Sequence, residues 1–268
     1  MVDSKLFQTV LAVGASLMAT GLSASAQSGA AQEVKTVVLV HGAWANSSSW
    51  SKVIPLLEAK GLHVVAVQLP LTSLADDVGA VKRALALEDG PVLLAGHSYG
   101  GAVITEAGND PKVAGLVYVA AVAPDQGEST LGLITSIATP VGAELRPDSM
   151  GFFKLTPKGI AEDFAQGLTA SEIQVLTATQ APINVVAMKG EITTPAWKSK
   201  PSFYVIAGND RAISPELEAT MAKKINATTI TISSPHVVML AEPAKLTAFI
   251  TGAAAKASQS SHSSAAER

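Results

Sequence analysis

Apolar residues fall along this chain in short unbroken runs, separated by longer stretches of helical period. Thr36–Val40, His63–Val67, residues 92–95, Val113–Val119, Ser202–Ala207 and Thr228–Ile232 are the runs. Continuous rather than alternating apolar character predicts strands covered on both faces. Residues 75–87 instead place Val78, Val81 and Leu85 three or four apart before Asp89-Gly90-Pro91, which predicts a helix and its end. Ser49 or Ser51 can cap another helix running to Lys60, with Gly61 just past its end. Ser214-Pro215-Glu216-Leu217 opens a further helix, and residues 244–251 form the last. Strands alternating with helices predict an α/β fold with a six-stranded, parallel, doubly wound sheet. In such sheets the site lies at the carboxyl ends of the strands.

The alternation breaks down between residues 127 and 200. No clean strand is visible there, and short helical stretches are interrupted by Gly142, Pro147, Gly151, Pro157, Gly167 and Pro182. This segment is too long for a loop within a compact sheet. It predicts a helical cap inserted after the strand ending near Ala123. Phe152 and Phe153 of this cap, with Trp44 and Val237, are the expected walls of a substrate pocket. The main domain then spans residues 27–252, and the Ala/Ser-rich residues 253–268 are expected to be disordered.

Composition narrows the partners. With 4% aromatic residues among 48% hydrophobic ones, Ala, Val, Leu and Ile must fill the core. A net charge of −3 without a basic run gives no footprint for nucleic acid or an anionic membrane surface. The chain has no cysteine, which excludes disulfides, a thiolate nucleophile and a Cys-ligated zinc site. At the amino end, Lys5 precedes an apolar stretch interrupted by Gln8, Thr9, Ser16 and Thr20, and Ala24-Ser25-Ala26 stands before Gln27. That is the pattern of a secretory signal over residues 1–26, too interrupted to remain as a membrane span. The expectation is an exported protein, periplasmic or secreted, with no stable membrane insertion after cleavage.

The candidate chemistry starts where the run at 92–95 ends in Gly96-His97-Ser98-Tyr99-Gly100-Gly101 and a helical pattern follows at once. Strand, tight turn and helix are what a nucleophile elbow requires. Ser98 is then expected in a strained conformation, with Gly96 and Gly100 lacking the Cβ atoms that would collide. Gly101 beside Gly100 predicts a helix passing close to neighbouring strands. The competing reading is a glycine-rich turn with an unremarkable serine, so the partners decide. Serine needs a base, and the base needs an acceptor to hold its tautomer. His63 lies in a strand, His97 in the elbow turn, His262 in the tail and His41 before the first loop. His236 follows the last strand, where a loop could bring it over Ser98. Asp210 directly follows the preceding strand, which yields the order Ser98, Asp210, His236 expected of such enzymes. Asp125 also follows a strand and competes, its alternative role being to cap the turn after Pro124. Backbone N–H groups of Tyr99, at a helix N-terminus, and of Ala43, after the first strand, are the expected oxyanion donors. His41 is expected to brace that loop by hydrogen bonding.

Val-Leu-Val-His-Gly-Ala-Trp at 38–44, Gly-His-Ser-Tyr-Gly-Gly at 96–101, Ala-Pro-Asp-x-Gly-Glu-Ser at 123–129, Asp-Arg-Ala-Ile-Ser-Pro at 210–215 and His-Val-Val-Met-Leu at 236–240 together resemble the α/β-hydrolase superfamily. The closer likeness is to its single-domain branch of small carboxylesterases, plant methyl-ester esterases and plant hydroxynitrile lyases. The resemblance implies the α/β-hydrolase fold, a triad of Ser98, His236 and Asp210, a cap over the pocket and a structural role for Asp125. It also implies no cofactor or metal, and a small-molecule ester as substrate. The expected reaction is ester hydrolysis through an acyl-enzyme. Alternatives are a thioesterase, lactonase or C–C hydrolase using the same triad, or a non-catalytic small-molecule binding protein. In the lyase branch a lysine follows the catalytic histidine and a threonine stands in the first loop. Here those positions hold Val237 and Gly42.

Overall fold

The computed structural model describes residues 33–266. The expected signal segment, residues 1–26, lies outside the described residues. Six parallel strands form the main sheet: β1 (Thr36–Val40), β2 (His63–Val67), β3 (Val92–His97), β4 (Val113–Val119), β8 (Ser202–Ala207) and β9 (Thr228–Ile232). Their order is β2-β1-β3-β4-β8-β9, so the chain leaves β1 toward one edge and later works toward the other. The α/β-hydrolase sheet expected from the sequence is the one observed. β1, β3 and β8 are buried at every position, as their continuous apolar runs require. The edge strands depart from that expectation. β9 is exposed over its first four residues and β2 is only half covered. Each has a neighbour on one side alone, and Thr228, Thr229 and Thr231 suit a solvated face.

The helix Gly100–Ala107 leaves the elbow against the sheet. A Cβ on Gly100 would stand 2.7 Å from the Val40 and His41 carbonyl oxygens, and one on Gly101 would stand 2.1 Å from that of Val122. The paired glycines therefore permit the close approach that the sequence predicted.

The cap is not wholly helical, which corrects the expectation for residues 127–200. It also contains an antiparallel sheet of β5 (Leu145–Pro147), β6 (Phe152–Leu155) and β7 (Ile183–Asn184). Asp148 builds the turn, its Oδ1 accepting from Met150 N at 2.8 Å and Phe152 N at 2.9 Å, with Gly151 at φ 84°. β7 pairs with β6 from some thirty residues further on, through Phe152–Asn184 and Phe153–Ile183.

The carboxyl end brings a second correction. Residues from 253 onward continue the last helix, Pro243–Ala266, where disorder was expected. Ala253, Ala254 and Ala257 are buried, and Ser258 Oγ accepts a hydrogen bond from Val34 N at 2.9 Å. Small residues are needed on this face because the helix lies close over β4, where a Cβ on Gly115 would meet the Ala257 Cβ at 3.1 Å. No helix among the described residues is long and apolar enough to cross a membrane. A chain ending at Gly252 should lose the buried alanines and the Val34 contact, and about 2–4 kcal/mol of stability with them. Calorimetry is expected to show a melting temperature lowered by roughly 5–10 °C; an unchanged melting temperature would contradict the packing role of this segment.

Candidate active site

Ser98 takes φ 54°, in the left-handed region that a side-chain-bearing residue rarely occupies. The surrounding backbone holds it there. Ser98 N donates to the Val119 carbonyl at 3.2 Å, and the Ser98 carbonyl accepts from Gly101 N at 3.0 Å and Val122 N at 3.2 Å. A Cβ on Gly96 would stand 2.5 Å from the Gly100 oxygen, so the turn closes only with glycine there. The elbow expected from the sequence is thus present, at the carboxyl end of β3.

His236 and Asp210 stand together, each with its side chain fully buried. His236 Nδ1 lies 2.5 Å from Asp210 Oδ2. An ionised carboxylate only accepts, so the proton is on Nδ1 and Nε2 is left with its lone pair. No protein group bonds to that Nε2. The other carboxylate oxygen, Oδ1, accepts from Ala212 N at 2.7 Å and Ile213 N at 2.9 Å. These bonds fix the carboxylate plane that orients the imidazole. His97 packs beside it with ring centroids 4.6 Å apart, and its Nε2–H donates to the His236 carbonyl at 3.1 Å. Burial, and then the charge of His236, hold His97 well below the usual histidine range, so it remains neutral scaffolding.

A cavity of about 30 Å³ adjoins Ser98. Ala43, Trp44 and Tyr99 form its floor, Ala212 and Ile213 one wall, and Thr130, Ile134, Val141 and Met188 of the cap its roof. Neither the Ala43 nor the Tyr99 N–H is taken by an acceptor among the described residues. Two free donors thus flank the serine. The volume matches about one water molecule.

Of the four expected pocket residues, only Trp44 lines this cavity. Phe153 lies behind Trp44, with ring centroids 6.0 Å apart, and its carbonyl accepts from the Trp44 indole at 3.1 Å. Phe152 is partly exposed on β6, and Val237 is fully buried in the core. The residues beside the serine come instead from other cap segments, Val141 from the helical turn Pro140–Glu144 and Met188 from the helix Val185–Lys189. Sequence pattern singled out neither of these as a wall, because both lie in short segments of the cap. Asp125 stands apart from the site. Its Oδ1 pairs with Lys198 Nζ at 2.5 Å and accepts from Gln126 N at 2.7 Å, tying the cap's exit to the loop after β4. Among the described residues no group of three or more His, Asp or Glu side chains is placed to hold a metal ion.

Two buried groups brace the loops around the serine. His41 Nδ1–H donates to the Gly42 carbonyl at 2.9 Å, while Nε2 accepts from Leu69 N at 3.0 Å and Gln68 Nε2 at 3.2 Å. This is the bracing role expected of it. Burial lowers its pKa to about 4. Asp77, which the sequence reading did not single out, accepts from Tyr99 Oη at 2.6 Å and from Leu71 N at 2.7 Å. Burial pushes its carboxyl up to about 6 despite those two donors.

Comparison with known proteins bears on this arrangement. Residues 37–249 match the model of a family described as the alpha/beta hydrolase family. Salicylic acid-binding protein 2 of Nicotiana tabacum is 26% identical over 259 positions, covering 81% of this chain and 96% of that protein. Methylesterase 8 of Arabidopsis thaliana is 27% identical over 207 positions, covering 69% of this chain and 75% of its own. The solved structure of a pyrethroid hydrolase from Sphingobium faniae JZ-2 superposes with a TM-score of 0.71 at 22% identity, over 82% of this chain and 97% of that one. A likeness at that identity speaks for the fold alone.

Neutral His41 has a consequence for acid stability. Its folded-state pKa of about 4 lies below the unfolded value of 6.5, so the unfolded chain binds more protons between those values. Stability is then fully present above pH 6.5 and is lost as pH falls, by about 3 kcal/mol at pH 4 from this group. Asp77 acts oppositely, its contribution being present at low pH and lost as pH rises through about 6. Denaturant titrations of wild type and His41→Asn at several pH values share the Asp77 contribution, so their difference isolates His41. The wild type should show the steeper loss between pH 6.5 and 4; parallel curves would contradict the assignment.

Proposed function

This chain belongs to the alpha/beta hydrolase family, and from that premise we propose that it hydrolyses carboxylic esters of small or medium apolar acids through an acyl-enzyme on Ser98. The observation that carries the reading is His236, bonded through Nδ1 to Asp210 and free at Nε2, together with a strained elbow serine whose cavity is lined by Ala43 and Tyr99, both with unengaged N–H groups. In the reaction His236 Nε2 takes the Ser98 hydroxyl proton as Oγ attacks the ester carbonyl. The Ala43 and Tyr99 N–H groups receive the developing oxyanion, and Asp210 stabilises the imidazolium. His236 then returns the proton to the departing alkoxide, and water repeats the sequence on the acyl-enzyme. The roof and wall residues Ile134, Val141, Met188 and Ile213 favour an apolar acyl group, and no charged side chain lines the cavity.

Three features favour hydrolysis over cyanohydrin cleavage. Val237 supplies no cation beside His236. Lys198, at the cap's exit, is engaged by Asp125. Gly42 has no room for a hydroxyl-bearing side chain, since a Cβ there would stand 2.6 Å from the Ser98 Cβ.

Rapid mixing with a short p-nitrophenyl ester tests the assignment. Wild type should give a burst of aryl alcohol followed by steady turnover, and Ser98→Ala neither. Asp210→Asn should fold yet lose on the order of 10⁴ in kcat through the wrong histidine tautomer. Asp125→Asn should keep its kcat and change stability by no more than about 1 kcal/mol. A folded wild type that binds the ester without a burst would make this a binding protein. Loss of turnover in Asp125→Asn with retention in Asp210→Asn would move the acid to Asp125. Mandelonitrile and acetone cyanohydrin should release no cyanide above the uncatalysed rate.

We further propose export, on the strength of Ala24-Ser25-Ala26. Intact mass of protein from an exporting host should place the mature terminus at Gln27; soluble protein retaining residues 1–26 would count against it.

A further inference from the structure

Near Asp210, joined to it through the Ala207 backbone, lies a second carboxyl group that the reaction above does not use. Glu218 sits in the first turn of the helix Pro215–Lys224 and is fully buried. Charged residues in a helix of mixed composition normally face solvent. Here Ala207, the last residue of β8, holds both carboxyls near each other. Its N–H donates to Glu218 Oε2 at 3.0 Å, and its carbonyl accepts from Asp210 N at 3.1 Å. The other Glu218 oxygen, Oε1, is buried and meets no donor from the protein.

Two adjacent buried carboxyls cannot both ionise without a cation between them, and one proton is shared by the pair. No lysine, arginine or histidine pairs with Glu218 among the described residues. The donors decide which carboxyl keeps the proton. Asp210 receives three, from His236 Nδ1, Ala212 N and Ile213 N, whereas Glu218 receives one, from Ala207 N. Donors favour the ionised form, so Asp210 carries the charge. The other titratable group facing the pair is Tyr204 on β8. Its hydroxyl is committed to the Ala121 carbonyl, and burial together with the two carboxyls holds it well above the usual tyrosine range. Burial, then the charge of Asp210, likewise raise Glu218 well above the usual carboxylate range.

We propose that Glu218 is a positioning residue of the active site: a buried carboxylic acid that keeps its proton and donates it in a hydrogen bond to the Asp210 carboxylate. The pair then carries one negative charge, spread over two residues. Glu218 touches neither substrate nor Ser98 and acts only through Asp210. Drawing charge away from the oxygen that faces His236 weakens its hold on the imidazolium, so His236 sheds its proton and serves as a base at lower pH. The inference rests on Asp210 being the acid of the triad.

The test is the pH dependence of kcat/KM for a p-nitrophenyl ester, with Glu218→Gln, Glu218→Leu and Asp210→Asn beside the wild type. Glutamine is neutral and keeps a donor, so Glu218→Gln should stay within about threefold of wild type with its acidic limb unmoved. Leucine removes the donor, and the acidic limb should rise by about one pH unit, a tenfold loss on that limb. A carboxylic acid C=O stretch should be present in the infrared spectrum of wild type at pH 8, and absent from that of Glu218→Gln. An acidic limb displaced downward in Glu218→Gln, or no band lost, would mean an ionised Glu218 and overturn the proposal. So would a Glu218→Leu profile superimposable on wild type. If Glu218→Leu fails to fold, Glu218→Gln with its spectrum still decides. Full turnover by Asp210→Asn would instead remove the triad assignment itself.

Discussion

Everything in this molecule that bears on chemistry depends on one backbone angle. At φ 54°, Ser98 is in a conformation costing about 1 kcal/mol or more relative to the ordinary regions. The cost is offset locally. Val119 receives its N–H, and Gly101 and Val122 donate to its carbonyl, so the strained residue is bonded at both ends to structure that cannot easily move. The same constraint explains the glycines. The helix after the serine runs so near β1 and the exit of β4 that side chains at Gly100 and Gly101 have nowhere to go. An elbow this tight leaves the N–H of Tyr99, at the N-cap of that helix, unengaged beside the serine.

Around the elbow the protein buries ionisable groups in fixed protonation states rather than leaving them apolar or exposed. His41 and His97 are held neutral, and Asp77 ties the Tyr99 hydroxyl to the loop at Leu71. Each brings two segments distant in sequence to a common partner. Such bonds are worth little net in stability when made and much when broken, so they act chiefly as geometric constraints on the loops carrying Ala43 and Tyr99.

What could be read from the sequence follows from how local each feature is. The elbow, the cap at Ser214, and the placement of Asp210 and His236 after consecutive strands are short-range patterns, and the structure reproduces all of them. The cap sheet was hidden because β6 finds half of its pairing in β7, some thirty residues away, and neither strand is long enough to show a period. Residues 253–259 read as disordered because Ala and Ser dominate them; small size is what lets that helix lie against Gly115. The pocket walls failed for a related reason. Phe152 and Phe153 are large and apolar, but Phe152 is half-exposed and Phe153 packs behind Trp44, while Val141 and Met188 line the cavity beside the serine. Asp77 and Glu218 look like solvated positions on amphipathic helices until the sheet closes over them.

Trp44 belongs to two parts of the molecule at once. It forms part of the floor beside Ser98, one residue from the Ala43 N–H, and its indole is fastened to the Phe153 carbonyl in the cap. Its own φ of 56° leaves little slack in that loop. Trp44 therefore couples the cap to the loop that carries the Ala43 N–H, and whatever displaces Phe153 pulls on Ala43 as well.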